Sequence, residues 1–375
     1  MLELGGAQRN TLYTVSRLNP SRFQCQLLAG PGGWLDREVP DLVARGVEVS
    51  FLPSLARPVR PWKDLAALLE IRRALRHFDP QVLHTHSSKA GILGRVAGAL
   101  AGVPVIIHTF HGFGFNNRQK PWVKAPFVIA ERIAARLSRK LVVVSEANRR
   151  EALRLGIGRA EQYTLIRSGI RIPPARVGYE GTAALRKALG VPPEASLITT
   201  IGPFKPQKNL TDFVRFCGLV ARESPEAFFL LIGDGEARPA LEALRRAENL
   251  EGRLLMPGWR TDAPELLAAS TLFAMTSLWE GLPRALLEAM SLGLVPLTYA
   301  TDGITDVIRH GVNGLLFAQG DVEGMARAAA GLLRNPERRR AFGKAAADSI
   351  GAEFDIDQMV RRQEALYEEL GAPRE

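Results

Sequence analysis

The chain has 375 residues, with 49 Lys and Arg against 39 Asp and Glu and a formal net charge of +10. Its 46% hydrophobic and 23% charged residues are ordinary for a globular protein, which excludes extended disorder and fibrous repeats. Two cysteines are too few for a disulfide framework, and the longest apolar stretch, Ala97–Ile107, is too short to span a bilayer.

A glycine turn near residue 5 lacks the strand that such a turn normally follows. Gly5-Gly6-Ala7 has the pattern of a turn that approaches a phosphate and feeds a helix through Leu12 and Val15. Only four residues precede it. The sequence therefore predicts that the first strand of this sheet is missing or cut to a stub, through a misplaced start or a truncation.

Short apolar runs alternate with longer amphipathic stretches through the first half of the chain, which favours strands and helices in turn. The strands are predicted at Phe23–Leu28, Val47–Leu52, Val82–Thr85, Val103–His108, Lys140–Val144 and Tyr163–Ile166. The helices are predicted at Asp36–Arg45, Trp62–His77, Lys89–Ala101, Trp122–Leu137 and Glu146–Leu155.

The second half repeats the alternation. Its strands are predicted at Leu197–Ile201, Ala227–Ile232, Arg253–Met256, Leu272–Met275 and Val295–Thr298. Its helices are predicted at Leu210–Arg222, Arg238–Asn249, Ala263–Ala269, Arg284–Ser291 and Asp321–Arg334. The segment from Pro336 to Leu370 is almost purely helical, with no strand after it.

A proline-rich segment, Arg171–Ala195, marks the boundary between the halves, because regular alternation restarts after it. We predict an N-terminal Rossmann-like domain over residues 1–178, a C-terminal one over 179–350, and a helix in 351–375 that packs back towards the first domain. The fold class is α/β, with two facing, doubly wound parallel-sheet domains. Ligands of such sheets bind outside the carboxyl ends of the strands, here in the predicted cleft between the domains.

Two glutamates with seven residues between them stand out in the second half. Glu280 follows the predicted strand Leu272–Met275, and Gly281-Leu282-Pro283 leads into a helix that carries Glu288 one turn inside. Free N–H groups at a helix start attract phosphate, and a carboxylate beside them can accept two hydroxyls of a ribose. Acidic residues are ordinary at a helix start, but the Glu-Gly-Leu-Pro run favours a site.

This stretch resembles the E-x7-E motif of retaining glycosyltransferases with the GT-B architecture, in the family called GT4. Further segments resemble that family in order and spacing, over about residues 2–370: Gly5–Ala7, His84–Gly91, His108–Phe113, Val144–Glu146, Ile166–Ile170, Gly202–Asn209 and Gly233–Gly235. The resemblance implies an enzyme that moves a sugar from a nucleoside-diphosphate-sugar donor to a saccharide or polyprenyl-linked acceptor. The context it implies is bacterial polysaccharide or cell-envelope glycan synthesis.

The resemblance also implies residue roles. Glu288 would bind the donor's ribose, Glu280 would contact the transferred sugar, and Lys208 would offset charge on the departing diphosphate. His111 would line the sugar pocket, with an ordinary packed histidine as the alternative. The resemblance gives weaker support for a role of His84, His86 and His108 in that pocket. The implied catalytic residues are Glu280, His111 and Lys208, and the implied donor-binding residues are Gly5, Gly6, Gly202, Lys208, Gly233, Gly281, Leu282, Pro283 and Glu288. No covalent nucleophile is expected, so retention would proceed by front-face attack.

One position departs from the family pattern. Gly202 is followed by Pro203 where members usually carry an arginine, so the second charge on the diphosphate falls to Lys205 or Arg284. No metal or other cofactor is expected, with the nucleotide sugar as substrate. The only Asp-x-Asp, at residues 355–357, lies in the terminal helical region rather than after a donor-domain strand.

Positive charge is concentrated in the first half. Residues 1–180 hold 27 Lys and Arg against 13 Asp and Glu, a net +14, whereas residues 181–375 hold 22 against 26, a net −4. An apolar run that includes Trp122 is flanked by Lys120, Lys124, Arg132, Arg136, Arg139 and Lys140. Arg132, Arg136 and Lys140 are expected to share a helix face, which suits an anionic membrane surface.

We therefore expect a cytoplasmic protein, peripheral on the inner face of the plasma membrane, with a cytosolic transferase that has a solvated basic face as the alternative. Three other functions stay open. A nucleotide-sugar 2-epimerase has the same architecture, and a degenerate transferase would bind nucleotide without turnover. A nucleic-acid-binding protein would suit the net charge of +10, but no helix-turn-helix, zinc-finger or RNP pattern is present, and we expect no nucleic-acid partner.

Overall fold

The computed structural model describes residues 1–3, 5–116, 118–173 and 182–371. The chain forms two compact units, one of Met1–Gly169 with the chain from Ile356 onward, the other of Ile170–Asp355. The boundary predicted between residues 178 and 179 lies outside the described residues. The predicted α/β class with two parallel-sheet domains is confirmed.

The first unit alternates helices and short strands in the predicted order. Its strands are β1 (Gln26–Ala29), β2 (Glu48–Phe51), β3 (Val82–His86), β4 (Val105–Phe110), β5 (Lys140–Val143) and β6 (Tyr163–Leu165). Its helices are α1 (Gly6–Arg17), α2 (Val39–Ala44), α3 (Pro61–Phe78), α4 (Ser88–Ala101), α5 (Pro121–Arg136) and α6 (Glu146–Arg154). The helix Ile356–Gly371 also belongs to this unit, and the Tyr13 hydroxyl of α1 donates to Asp357 Oδ1 at 2.8 Å.

The sheet of the first unit is split in two. One part pairs β1 with β2, and the other has the order β3-β4-β5-β6, with every pair parallel. The first element of this unit among the described residues is α1. β3 is only half-buried along most of its length, whereas its neighbour β4 is buried throughout.

The second unit contains one continuous sheet. Its strands are β7 (Leu197–Ile201), β8 (Phe228–Ile232), β9 (Leu254–Gly258), β10 (Leu272–Met275), β11 (Val295–Tyr299) and β12 (Leu315–Phe317). Its helices are α7 (Ala183–Ala188), α8 (Leu210–Glu223), α9 (Arg238–Ala247), α10 (Ala263–Ala268), α11 (Arg284–Ser291), α12 (Val322–Arg334) and α13 (Pro336–Asp348), so the helix Ile356–Gly371 is α14. The parallel order β12-β11-β10-β7-β8-β9 places the first strand at the centre.

The winding reverses between β7 and β10, since β8 and β9 extend to one side of β7 and β10 to β12 extend to the other. This is the topological switch point at which open parallel sheets leave a crevice for a ligand. The apolar face of α8 packs on the sheet here in a single large cluster with Phe213, Phe216 and Phe229 fully buried.

Local signals explain most element ends. The side chains of Ser145, Asp321 and Asn335 accept backbone N–H bonds at the starts of α6, α12 and α13. The predicted helix Asp36–Arg45 is instead a 3₁₀ turn, Trp34–Glu38, followed by α2, because Pro40 suits only the first turn of a new helix. The three-residue edge strand β12 was not predicted, since so short a run has no readable period.

Candidate active site

Two loops meet at the switch point of the second unit, one after β7 and one after β10. The Thr276 hydroxyl donates to the backbone oxygens of Lys208 and Asn209 at 3.1 and 3.0 Å. Leu278 N donates to Gln207 O at 2.8 Å, and the Gln207 amide donates to Trp279 O at 2.8 Å. These bonds hold the Lys208 loop against the loop that leads to Glu280.

The two implied catalytic residues of this unit form an ion pair. Lys208 Nζ lies 2.5 Å from Glu280 Oε1, with side-chain exposures of 13% and 8%. Glu280 N donates in turn to Asp302 Oδ2 at 3.2 Å, which fixes the loop on the β11 side. The contact with a buried carboxylate positions the Lys208 side chain, and a stronger anion can replace the carboxylate as its partner.

Gly202 and Gly233 lie side by side after β7 and β8. A Cβ at Gly233, whose φ is +142°, would meet Gly202 O at 2.0 Å, so only glycine fits there. A Cβ on Gly202 would meet the Lys208 side chain at 2.9 Å. Arg238, which sequence reasoning missed, braces the turn through Asp234 Oδ1 at 2.7 Å and Gly233 O at 3.3 Å. The hydrogen bond from Arg238 lowers the pKa of Asp234.

The E-x7-E segment has the predicted geometry. Gly281, Leu282 and Pro283 are buried, and α11 begins at Arg284 without a capping side chain, which leaves N–H groups for an anion. Glu288 lies one turn inside α11, and Arg284 Nη2 is 3.3 Å from its Oε1. Arg284 is thus engaged with the carboxylate implied for the ribose.

Three hydroxyls near the same strand ends were not anticipated. Ser277 follows β10, Thr298 lies within β11 and Thr301 follows it. Across the described part of the chain, the hydroxyls of these three residues are buried and make no hydrogen bond. A buried, unsatisfied hydroxyl costs about 1–3 kcal/mol, so a bound polar ligand or water at this edge would recover free energy.

In the first unit, the implied phosphate-approaching residues begin α1. Gly5 is the N-cap in an extended conformation and Gly6 is the first helical residue. No acidic side chain occupies the first turn, and no side chain caps it. The predicted turn-to-helix geometry is therefore present. Gly5 and Gly6 belong to the first unit, whereas the other implied donor-binding residues belong to the second.

His111 lies within a row of histidines at the carboxyl ends of β3 and β4. Its Nε2 is 3.0 Å from His86 Nδ1, and the two rings stack with centroids 5.2 Å apart. His84 lies next in the row, bonded to Thr109 Oγ1 at 2.7 Å and to the Tyr367 hydroxyl at 2.6 Å. Burial lowers the pKa of His111 to about 4, and burial with the nearby His111 lowers the pKa of His84 to about 3. The row is neutral at pH 7, which the sequence did not reveal.

This histidine row predicts an acid-labile first unit. An unfolded histidine titrates near 6.5, above the lowered folded pKa values, so the unfolded chain binds protons first as the pH falls. Stability is therefore fully present above about pH 6.5 and is lost progressively down to about pH 4, by about 1.4 kcal/mol per pH unit for each such histidine. Urea unfolding at a series of pH values from about 7.5 down to about 5 measures this slope.

The matched variants for that experiment are His84→Gln and the exposed His77→Gln. We expect His84→Gln to flatten the pH dependence and His77→Gln to leave it unchanged. Equal slopes in all three proteins would contradict the assignment.

The basic residues predicted to meet a membrane do not all share one helix. α5 ends at Arg136, and Lys140 begins β5, so the prediction that Arg132, Arg136 and Lys140 share a helix face is wrong. The helix stops because the chain turns at Leu137 and Arg139 N donates to Ile106 O in the sheet. Lys124 lies 3.8 Å from Glu151, and Lys120 lies over the Trp122 ring at 5.1 Å.

A larger apolar surface surrounds these charges. The outer face of α5 exposes Trp122, Ile129 and Ile133 beside Arg136, with Trp122 68% exposed. Helix α3 packs against α4. It exposes an apolar stripe that begins at Trp62, which is 84% exposed, and continues through Leu65 and Leu69. The stripe on α3 was missed, although its spacing of three and four residues was readable in the sequence. Nowhere in the described ranges does a helix have the length and apolar composition needed to cross a bilayer.

Two doubly wound parallel-sheet units, one with a cation, a carboxylate and an uncapped helix start at its switch point, define a two-domain α/β protein with a ligand crevice in its second unit. The family described as "Glycosyl transferases group 1" matches residues 182–349, and "Glycosyl transferase 4-like domain" matches residues 5–169. The chain belongs to this glycosyltransferase family.

Curated relatives and solved structures agree with this family assignment. The chain is 30% identical over 97% of its length, and 94% of the relative's, to the UDP-Gal:alpha-D-GlcNAc-diphosphoundecaprenol alpha-1,3-galactosyltransferase of Escherichia coli. It is 26% identical over 88% of its length, and 81% of the relative's, to a D-inositol 3-phosphate glycosyltransferase of Thermobispora bispora. Anabaena HepE in complex with UDP and glucose superposes with a TM-score of 0.84 at 20% identity, over 98% of this chain and 97% of that one, which supports the fold.

Proposed function

We propose that this glycosyltransferase moves a hexose from a UDP-sugar to a polyprenyl-diphosphate-linked saccharide, with retention of anomeric configuration. The observation that supports the use of a nucleotide-sugar donor is the Lys208–Glu280 pair at the switch point, with Glu288 inside the neighbouring helix. The names of the relatives supply the substrate classes. The E. coli relative uses UDP-Gal and a diphosphoundecaprenol-linked acceptor by its name.

Lys208 and Glu280 exchange partners when the donor binds. The diphosphate takes the place of the carboxylate on Lys208 Nζ, because two phosphoryl groups are a stronger anion than one carboxylate. Glu280 is then free to accept hydroxyls of the sugar to be transferred. As the glycosyl–phosphate bond breaks, negative charge grows on the leaving diphosphate, and Lys208 and the start of α11 stabilise it.

Glu288 binds the ribose in this proposal. Its carboxylate is one turn inside α11 and is oriented by Arg284 at 3.3 Å. Arg284 also places a second positive charge near the helix start, which suits the role left open by Pro203. No residue is assigned as a covalent nucleophile, so the acceptor hydroxyl attacks from the face that the diphosphate leaves. The departing diphosphate oxygen takes the electron pair of the broken glycosyl–phosphate bond and accepts the proton of that hydroxyl.

The defining experiment incubates the protein with radiolabelled UDP-galactose and a GlcNAc-diphosphate polyprenol. We expect a labelled lipid product whose new linkage is α by NMR. An inverted β linkage would contradict retention, and conversion of the sugar without acceptor would identify an epimerase instead. UDP binding by calorimetry without transfer to any lipid-linked acceptor would identify a non-catalytic nucleotide-binding protein.

We also propose that transfer needs no resident metal, since Lys208, Arg284 and the start of α11 supply positive charge at the predicted diphosphate site. Activity is expected to stay within about twofold when EDTA is added in excess, as for a reaction without a metal Lewis acid. Added Mg²⁺ and Mn²⁺ serve as the comparison. Loss of activity in EDTA that Mg²⁺ or Mn²⁺ restores would overturn the proposal.

We further propose that the exposed face of α3 and α5 rests on an anionic membrane at the inner face of the plasma membrane. Exposed Trp and Ile side chains insert at the headgroup boundary, and the net +14 of residues 1–180 is attracted to anionic lipid. A lipid-linked acceptor lies in that same surface, so this face would bring the first unit to its substrate.

The double variant Trp122→Glu with Ile133→Glu is expected to weaken binding to phosphatidylglycerol vesicles by roughly tenfold or more, because two apolar contacts are lost. Vesicle flotation at low salt measures it. Val312→Glu is the matched control, since Val312 is 50% exposed and lies in the second unit. If wild type does not float, or if the control loses as much binding, the membrane proposal fails.

A further inference from the structure

A cavity of about 630 Å³ opens at the amino ends of three parallel strands in the first unit. It is lined by residues that precede or begin β4, β5 and β6, among them Pro104, Ser138 and Gln162. Ligands of parallel sheets bind at the carboxyl ends of the strands, where the histidine row lies. Because β4 runs for six residues, roughly 20 Å, this cavity is a separate place in the unit.

Four arginines line this cavity, which we call the arginine cavity. Arg132 and Arg136 come from the end of α5, Arg139 from the turn before β5, and Arg159 from the turn that precedes β6. Arg132 Nε also donates to Leu155 O at 2.6 Å, which ties α5 to the end of α6. None of the described residues that line the cavity is a carboxylate. Since like charges repel one another, an anion between these guanidinium groups would be bound favourably.

The buried side chain of Gln162 holds the frame of the arginine cavity. Its Nε2 donates to Ala135 O at 3.1 Å and to Ser138 O at 2.8 Å. Its Oε1 accepts a hydrogen bond from Arg159 N at 2.9 Å. One side chain thus ties the end of α5 to the two turns that carry Arg139 and Arg159. The backbone around the cavity is fixed before a ligand arrives, which lowers the ordering cost of binding.

Arg136 and Arg139 supply the uncommitted charge. Within the described ranges, the side chains of these two residues make no hydrogen bond or ion pair. Arg159 differs, since its Nε lies 2.6 Å from Glu161 Oε1. A guanidinium is always charged and presents five N–H donors in a planar fork, which matches the oxygens of a phosphate. Two such groups at one cavity therefore favour a phosphate as the ligand.

We propose that the arginine cavity binds the phosphate group of a phosphoester. Its volume lies in the range of small-molecule sites, which leaves room for the group esterified to the phosphate. The exposed side chains of Ile129 and Ile133 lie beside Arg132 and Arg136 at helical spacing on α5. The phosphoester is therefore either a free molecule or the headgroup of a lipid, and the second source rests on the membrane face proposed above. Neither source depends on the assignment of the sugar or the acceptor.

Calorimetry with glycerol 3-phosphate at low salt tests the site without a membrane or an activity readout. We expect one site per chain, with an affinity about tenfold or more weaker in Arg136→Gln with Arg139→Gln, because two charge-assisted contacts are lost. The matched control is Arg73→Gln with Arg76→Gln. The control arginines are exposed on α3, are also three residues apart and do not line the cavity, so the same charge is removed elsewhere.

Flotation with phosphatidylglycerol vesicles at the same salt distinguishes the two sources, with phosphatidylcholine vesicles as the reference. A loss of binding confined to the Arg136→Gln with Arg139→Gln variant supports the proposal, in calorimetry for a free phosphoester and in flotation for a lipid headgroup. The proposal is overturned if neither probe binds the wild type, or if the control loses as much binding. Glycerol 3-phosphate binding by a protein that does not float would support this site and contradict the membrane proposal, so the two failures are distinguishable.

Discussion

Lys208→Ala is expected to lower kcat by about 10²–10³-fold, the cost of removing one preorganised charge from a developing anion. The proposed function gives Lys208 the charge nearest the leaving diphosphate, and its ammonium already lies in place, 2.5 Å from Glu280. Because Lys208 also holds the diphosphate when the donor binds, kcat/KM should fall by more than kcat. Steady-state kinetics with UDP-galactose and the lipid-linked acceptor measure both constants.

The melting temperature is also expected to fall in this variant, because it leaves the buried Glu280 carboxylate without its counter-charge. Lys344→Ala is the matched control: Lys344 lies in the same unit, is also paired with a carboxylate, Asp348, and is 71% exposed. If Lys208→Ala turns over within a few-fold of wild type, Lys208 has no part in the mechanism. A loss shared by Lys344→Ala would point to general damage instead.

Glu131→Gln is expected to destabilise the first unit by about 3–5 kcal/mol, because it leaves a buried guanidinium without its counter-charge. Arg95 is fully buried on α4, and its Nη2 lies 2.6 Å from Glu131 Oε2 on α5. Burial lowers the pKa of Arg95 and raises that of Glu131, so the ionised pair depends on mutual attraction. Urea unfolding followed by circular dichroism measures the loss.

The double variant Arg95→Met with Glu131→Leu distinguishes the pair from its packing. Removing both charges at similar volume is expected to recover most of the stability that Glu131→Gln loses. If the double variant is as unstable as the single one, packing rather than charge compensation holds α4 against α5. An unchanged stability in Glu131→Gln would show that Arg95 finds another partner.

The fold could be predicted because the strands of parallel sheets have a recognisable sequence pattern. Strands buried on both faces, such as Phe228–Ile232, read as continuous apolar runs between amphipathic helices. This pattern does not predict an element that is short or interrupted. β12 has three residues, and the helix predicted at Asp36–Arg45 is broken by Pro40, which a period of 3.6 does not register.

The candidate active site could be predicted only in part from the sequence, for a different reason. The resemblance to the GT4 family implied Lys208, Glu280 and Glu288 separately, but it does not show that Lys208 bonds Glu280, since 71 residues lie between them. Asp302, which holds the Glu280 loop, has no motif, and its role comes from the neighbouring strand β11. Likewise, Arg132 and Lys140 have helical spacing in the sequence, but a sheet hydrogen bond ends the helix between them.

The second unit is inserted into the first. Its two ends meet at Ile170 and Asp355, where Ile170 N donates to Phe354 O at 2.8 Å. The returning α14 then supplies Ile356, Met359 and Tyr367 to an apolar cluster with Val105 and Ile166. During synthesis the ribosome must therefore release the whole second unit before the first receives its last helix. The first unit, most of which is translated first, therefore completes its apolar core last.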